Sequence, residues 1–343
     1  MTTHHQKESF KDLVGPVLVT GGCGYIGSHV CLALKKFGLE TVVVDNLSRG
    51  FREALHPEIP LYQENFGNRK GIDAIIKKHR IQAVLHFAAY ISVEESVYQP
   101  HLYYQNNTCN SLNLLQSIVE NQVPYFIFSS TAAVYGTPRR PFVDELDPVQ
   151  PESPYGHSKA MTEQMLRDIA KNAPLNYVIL RYFNVAGAHH EGGYGQRSLK
   201  STHLIKVAAE AATGKREGLD IFGNDYPTPD GTCIRDYIHI DDLADAHVES
   251  LRYLVNGGAS DTFNCGYGQG YSVKEVIEAL EQETGIKLAV RIGSRRPGDA
   301  VQIVADPSKL KERLHWQPKF DNLSLIVKHA YDWELALKKQ TSS

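Results

Sequence analysis

The stretch Val17-Leu18-Val19-Thr20-Gly21-Gly22-Cys23-Gly24-Tyr25-Ile26-Gly27-Ser28-His29 leaves this chain few architectures. Its apolar, β-branched start predicts a buried parallel strand, the glycines end it, and 25–36 then predicts a helix. Gly21, Gly24 and Gly27 repeat as G-x-x-G-x-x-G. Such glycines serve a tight turn, close backbone approach to a pyrophosphate, and close packing of helix on strand. The helix N-terminus then offers free N–H groups and its positive dipole end to an anion. A second apolar strand, 41–44, ends in Asp45, where a carboxylate is expected to hold an adenosine ribose. A 2′-phosphate would be repelled there, so NAD is expected rather than NADP, with Arg49 the one nearby cation.

Bulk properties exclude other classes. At 343 residues there is room for a large α/β domain plus a smaller one. A formal net charge of −3 gives no case for nucleic acid or an anionic membrane. No apolar run approaches the ~20 residues that span a bilayer, and the polar start carries no signal-peptide core. Residues 1–14 are expected as a flexible tail. The cysteines (Cys23, Cys31, Cys109, Cys233, Cys265) show no C-x-x-C pairing. Free thiols and a cytoplasmic location are therefore expected, with no metal site.

Downstream, 46–60 reads as a loop, 59–62 as a short strand and 71–79 as a helix. A buried strand at 83–89 ends in small residues, as close passage of a cofactor requires. A helix is predicted over 106–121, a strand ending in hydroxyls over 125–131, and a proline-rich loop over 138–154. A helix over 154–171 and a strand over 177–182 follow. Strand–helix alternation predicts a parallel, doubly wound, Rossmann-type sheet. After 187 the texture becomes rich in glycine, serine and charge. A helix is expected at 202–213, an irregular loop at 218–232, a strand and helix at 238–254, a helix at 273–284, a strand at 287–292 and a helical C-terminus. The expected division is an NAD-binding domain at 15–187, rejoined by 236–265. A smaller α/β substrate domain is expected from 188–235 and 266–343.

Tyr155-Gly156-His157-Ser158-Lys159 opens the 154–171 helix and places phenol and ammonium on one helical face. A phenol titrates near ~10. An ammonium one turn away and the positive ring of an oxidised nicotinamide would both favour the phenolate, making Tyr155 a base near neutral pH. Thr131, closing the preceding strand, could orient or relay the proton of the same alcohol. The bland alternatives are a surface Tyr–Lys pair and a capping threonine.

The glycine stretch, Tyr155-x-x-x-Lys159 and Leu180-Arg181-Tyr182-Phe183-Asn184 resemble the extended short-chain dehydrogenase/reductase superfamily. Phe222-Gly223-Asn224-Asp225-Tyr226-Pro227-Thr228-Pro229-Asp230-Gly231-Thr232 and Ile234-Arg235-Asp236-Tyr237-Ile238-His239 resemble its nucleotide-sugar 4-epimerases. The likeness runs from about 17 to 316. It implies tightly held NAD and reversible C4 epimerisation of a UDP-hexose (UDP-galactose and UDP-glucose) through a transient 4-keto sugar. Tyr155, Lys159 and Thr131 would be catalytic. Cofactor contacts would come from Gly21, Gly24, Tyr25, Ile26, Gly27, Asp45, Asn46, Phe66, Phe87, Ala88, Ala89, Asn106, Ser129, Tyr155, Lys159 and Tyr182. On the substrate side, Asn184, Arg235 and Arg296 would hold the diphosphate and Asp299 the uridine ribose. The backbone around 220–222, with Ile221 and Phe222, would bracket the uracil; His203 and Tyr237 would join Thr131 and Tyr155 in contacting substrate. The resemblance also implies a homodimer formed through 106–121 and 154–171.

Several positions depart from the common pattern. Ile91 stands where many members carry a lysine, Asn65 where many carry an aspartate, and His203 where some carry an asparagine. Ile303 replaces a bulky tyrosine associated with excluding N-acetylated sugars, so UDP-GalNAc and UDP-GlcNAc enter as candidate substrates. The competing enzyme is a nucleotide-sugar 4,6-dehydratase, which would need Asp-Glu after the threonine; Ala132 and Ala133 stand there. A non-catalytic NAD-binding regulator would be expected to have lost Tyr155 or Lys159.

Overall fold

The computed structural model describes residues 10, 13, 15–198, 201–296 and 299–341. Its largest sheet has 7 strands, in the order Asp261–Cys265, Asn176–Tyr182, Tyr125–Ser129, Ala83–His86, Val17–Thr20, Thr41–Val44, Leu61–Tyr62. Every neighbouring pair in it is parallel. The strand order runs outward in both directions from Val17–Thr20, so the switch point lies beside that strand. Ligands of doubly wound sheets bind there, outside the strands' carboxyl ends. The glycine turn, Phe87–Ala89, Ser129–Thr131 and Tyr182–Asn184 all sit at that edge.

The four-residue strands Val17–Thr20, Thr41–Val44 and Ala83–His86 are buried throughout, because helices cover both faces of the sheet. One face packs Val17, Val19, Val30, Leu34 and Leu243. The other packs Leu18, Ile72, Leu114, Leu115 and Ile118.

A second sheet orders Gly270–Ser272, Ile234–His239, Gln302–Ala305 and Phe142–Val143, and Asn184–Ala186 also pairs with Ile234–His239. Leu219–Phe222 pairs in parallel with Val290–Gly293. That strand lies inside the stretch expected to be irregular, and its alternation of buried and exposed residues is the strand period. The helix expected over 106–121 starts instead at Asn110, after a π-helical turn over Tyr104–Cys109. The turn brings Asn107 inward, where its amide donates to the Tyr90 carbonyl (2.9 Å) and to Ser158 Oγ (3.1 Å). A regular helix would rotate that side chain away.

Of the expected tail, 1–9, 11, 12 and 14 lie outside the described residues. Phe10 is buried, edge-on to Phe37 and beneath Arg252. Among the described residues no helix is long and apolar enough to cross a membrane.

Candidate active site

The glycine turn is shaped by sterics. Gly21 has φ +76°, and a Cβ there would meet the Ala88 nitrogen at 2.6 Å. A Cβ on Gly27 would lie 2.3 Å from the Gly21 carbonyl oxygen. Gly24 is the N-cap of the Tyr25–Lys36 helix, with no side-chain cap and no acidic residue in the first turn. The leading N–H groups are thus free of competing carboxylates, a cradle that fits an anionic diphosphate. Phe87 and Ala88 both donate from their backbones to the Thr20 carbonyl, at 2.9 and 3.1 Å, which holds Ala88 against the turn. Ile26 is half-buried against the core, and the Tyr25 hydroxyl donates to the Gly187 carbonyl at 2.7 Å.

Asp45 ends its strand buried, accepting from Cys23 N at 3.0 Å and Leu47 N at 2.8 Å. Burial raises its carboxyl pKa and these two bonds oppose the rise. Arg49 is engaged by Glu95 at 2.7 Å and lies over the Tyr90 ring. Asn46 accepts from Ser48 N at 3.0 Å. Asn65 accepts from Gly67 N at 2.8 Å, and Ile91 is exposed. Phe66 is buried against the His86 ring, and Asn106 in the π turn donates to Asn107 Oδ1 at 3.0 Å.

Ser153 caps the Pro154–Ala170 helix by accepting from Gly156 N at 3.1 Å, with proline in the first turn. Tyr155 and Lys159 are both buried. The Lys159 ammonium donates to the Ser129 carbonyl at 2.8 Å and lies 4.8 Å over the Phe128 ring. Burial pushes the Tyr155 phenol up to about 12, opposed by a hydrogen bond with the Thr131 hydroxyl. Burial pulls the Lys159 ammonium down to about 7, opposed by the Glu163 carboxylate. The chain alone therefore keeps the phenol protonated; the downward shift expected from the sequence needs positive charge bound beside it. Thr131 also accepts from Ala133 N at 3.1 Å, so it caps the turn Ala132–Tyr135 while contacting Tyr155.

Groups behind these residues escape a motif reading. Glu163, fully buried, accepts from Arg181 Nη2 at 2.6 Å, Arg181 Nε at 3.0 Å, Ser130 Oγ at 2.6 Å and Arg167 Nη2 at 2.9 Å. It ties the Lys159 helix to the two strand ends. The available signals were Glu163 following Tyr155 and Lys159 at helical spacing, and Arg181 inside an apolar strand, where a charge demands a partner. His247 donates from Nδ1 to the Leu243 carbonyl at 2.8 Å, so its Nε2 accepts from Ser129 Oγ at 2.8 Å. Its ring lies 4.8 Å from Phe87 and 6.2 Å from Tyr182. His86 is held between Thr20 Oγ1 (2.6 Å) and Ser111 Oγ (3.0 Å), and burial keeps it neutral.

The expected substrate residues fall into two groups. Asn184 pairs in register with Tyr237, and both line a cavity of about 130 Å³ with His203, Gln196 and Lys206. Farther along, Arg235 faces Asp299 at 3.6 Å and Arg296 donates to Asp299 at 2.9 Å while lying 4.5 Å over Phe222. Ile221 is buried beside Phe222. Arg235 does not pair with Asp236, which is buried and accepts backbone N–H groups from Tyr267, Gly268 and Ala305. The neighbouring cations Arg295 and Arg296 each face a separate carboxylate, Asp225 and Asp299. Pro297 and Gly298 of that turn lie outside the described residues.

Residues 17–266 match the NAD dependent epimerase/dehydratase family. A UDP-glucose 4-epimerase of Azospirillum brasilense is 51% identical over 94% of this chain and 93% of its own length. The structure of a UDP-glucose 4-epimerase from Brucella ovis in complex with NAD superposes with a TM-score of 0.90 at 38% identity, covering 93% of this chain and 98% of that one. That of a UDP-Glc/GlcNAc 4-epimerase from Campylobacter jejuni superposes at 0.82 with 46% identity, covering 94% and 99%. With the glycine turn, the buried carboxylate that closes the second strand and the Tyr–Lys pair on one sheet edge, these likenesses place the chain in the NAD dependent epimerase/dehydratase family.

Proposed function

We propose that the chain reversibly inverts C4 of UDP-galactose and UDP-glucose through a transient 4-keto sugar that stays bound by its UDP. The observation that carries this reading is the convergence of Tyr155, Thr131 and Lys159 on the sheet edge that holds the glycine cradle. Bound NAD supplies the hydride acceptor and donor. Tyr155 takes the 4-hydroxyl proton and returns it, with the Thr131 hydroxyl orienting the exchange. Lys159, anchored on the Ser129 carbonyl, stands one helical turn away, and its protonated form, supported by the Glu163 carboxylate, favours the phenolate. Arg235, Arg296, Asp299 and Phe222 grip the UDP end. The hexose is then free to turn and present either face of the keto group.

Ala132 and Ala133 follow Thr131, and Ala132 packs with Val134, Tyr135, Phe183 and Ile303. No carboxylate stands at those two positions, which disfavours water elimination. Buried Ile303 is much smaller than tyrosine, and the Campylobacter jejuni relative is named for both UDP-Glc and GlcNAc. We extend the proposal to UDP-GalNAc and UDP-GlcNAc on that ground. In this reading 15–187 and 236–265 serve NAD, and 188–235 and 266–343 serve the UDP-sugar. Five unpaired cysteines support a cytoplasmic setting.

The test is turnover of UDP-galactose by purified protein with no NAD added, read as UDP-glucose formed, beside a tube of UDP-GalNAc. Product in the first tube is expected. Failure with and without added NAD, while UDP still binds, would overturn the epimerase assignment. No product in the second tube would withdraw only the extension.

A homodimer fits the exposed apolar residues on neighbouring helices: Val93, Val97 and Tyr98, then Leu112, then Met161. Substituting Met161→Glu together with Tyr98→Glu should convert a dimer to a monomer in light scattering after size exclusion. A wild-type protein that is already monomeric would remove this part of the proposal.

A further inference from the structure

A cluster of ligating groups lies apart from the chemistry above. The loop after Asn184–Ala186 carries His189 and His190 to Asp241, in the first turn of the Ile240–Val255 helix. His189 Nδ1 lies 3.1 and 3.2 Å from the two Asp241 oxygens, and His190 Nδ1 lies 2.8 Å from Oδ2. The donor atoms of all three residues fall within 4.8 Å of one another. Two imidazole nitrogens and a carboxylate form a borderline donor set of the kind zinc takes, and a tetrahedral site with bonds of ~2.0–2.2 Å separates its ligand atoms by roughly 3.3 Å. The two His–Asp241 separations already lie near that value, and the bound of 4.8 Å on the whole set leaves the rings to draw together around an ion.

We propose that His189, His190 and Asp241 bind one divalent transition-metal ion of the zinc class, clamping this loop to the helix.

Two further observations support the site. The Glu191 carboxylate faces the far side of both rings, 3.8 Å from His189 Nε2 and 3.9 Å from His190 Nε2. A metal-bound imidazole donates its second N–H to such an outer acceptor. Binding would move each ring proton from Nδ1, now donating to Asp241, to Nε2, and the exposed Glu191 carboxylate would close in from 3.8–3.9 Å to accept it. Beside them, His29 adds a third imidazole: it is buried, donates from Nδ1 to the Tyr25 carbonyl, and has the Tyr194 backbone close to its ring. Its ring centroid is 6.4 Å from that of His189.

The same loop continues to Gln196, whose side-chain nitrogen lies 3.3 Å from His203 Nδ1 and whose carbonyl accepts from Lys206 (3.0 Å) and Trp333 (3.0 Å). A metal at His189 and His190 would thus brace the loop leading to the substrate cavity without entering it.

The test is titration of the untagged, EDTA-dialysed full chain with zinc by calorimetry, and with cobalt by its visible absorption. One equivalent should bind, and cobalt should give the bands of a low-coordinate nitrogen–oxygen site. Replacing both histidines (His189→Gln, His190→Gln) should lower affinity by more than the ~10–100-fold that loss of an outer partner costs. Asp241→Asn should weaken binding, and His4→Gln with His5→Gln should leave it unchanged. UDP-sugar turnover, measured on each variant, reports that the fold persists. Absence of binding by wild type would overturn the proposal. So would binding that survives the His189/His190 change in a variant that still turns over, or that is lost with His4 and His5.

Discussion

Tyr155→Phe should reduce turnover of UDP-galactose by ~10²–10⁴-fold, the contribution of a positioned general acid–base group, while UDP and NAD remain bound. The phenol is buried and hydrogen-bonded to Thr131, so removing its oxygen leaves shape and packing nearly unchanged. Thr131→Val should cost less, because a relay can be replaced by water and a base cannot. Turnover by Tyr155→Phe near the wild-type rate would show that another group moves the proton. Burial holds the Tyr155 phenol at about 12, so a chain lacking bound positive charge offers little phenolate at neutral pH. Lys159→Met should accordingly lower turnover at neutral pH and shift the pH–rate profile to higher pH, where the phenol ionises unaided.

The second large effect is on stability. Arg181→Met should destabilise the protein by roughly 3–5 kcal/mol, because it removes the buried cation and two of the four hydrogen bonds that hold the Glu163 carboxylate, leaving only Ser130 and the partly exposed Arg167. Burial alone would raise the Glu163 pKa, but the Arg181 hydrogen bond and charge, with Ser130 and Arg167, hold it below the usual carboxylate range. A depressed folded-state pKa contributes stability that is present above the unfolded value and lost as pH falls through the folded one. The wild type should therefore lose this contribution only in acid, whereas Arg181→Met lacks much of it at neutral pH. Denaturant unfolding at pH 7 and at pH 4 measures both. The double change Glu163→Leu with Arg181→Met, apolar and similar in volume, should recover most of the loss. If Arg181→Met costs under ~1 kcal/mol, the clasp behind Lys159 is not a structural requirement.

The glycine turn and the strand ends around it were legible because most of their signals are local. Gly21 takes a φ of +76° in the turn, a Cβ on Gly27 would meet the Gly21 carbonyl oxygen, and Asp45 closes the next strand; the approach of Ala88 to Gly21 is the one long-range constraint. The short strands were less legible. Phe142–Val143, Asn184–Ala186 and Gly270–Ser272 have 2, 3 and 3 residues, too few to display a period. They are strands because a partner's backbone lies alongside. The π turn at Tyr104–Cys109 has the same character: its sequence suits a helix, and a buried amide decides the register.

Local sequence signals set the strand–helix alternation of the large sheet, the glycine turn, the carboxylate closing the second strand and the Tyr155–Lys159 face. Each depends on residues a turn or one strand–helix unit apart. What stands behind them comes from long-range packing: Arg181 on Glu163, His247 on Ser129, Arg235 on Asp299, and the two histidines on Asp241. Those contacts join residues 18, 118, 64, and 51 or 52 positions apart in the chain. Each rests on one or a few polar contacts, which leave no periodicity in the sequence; burial of the surrounding surface brings the partners together.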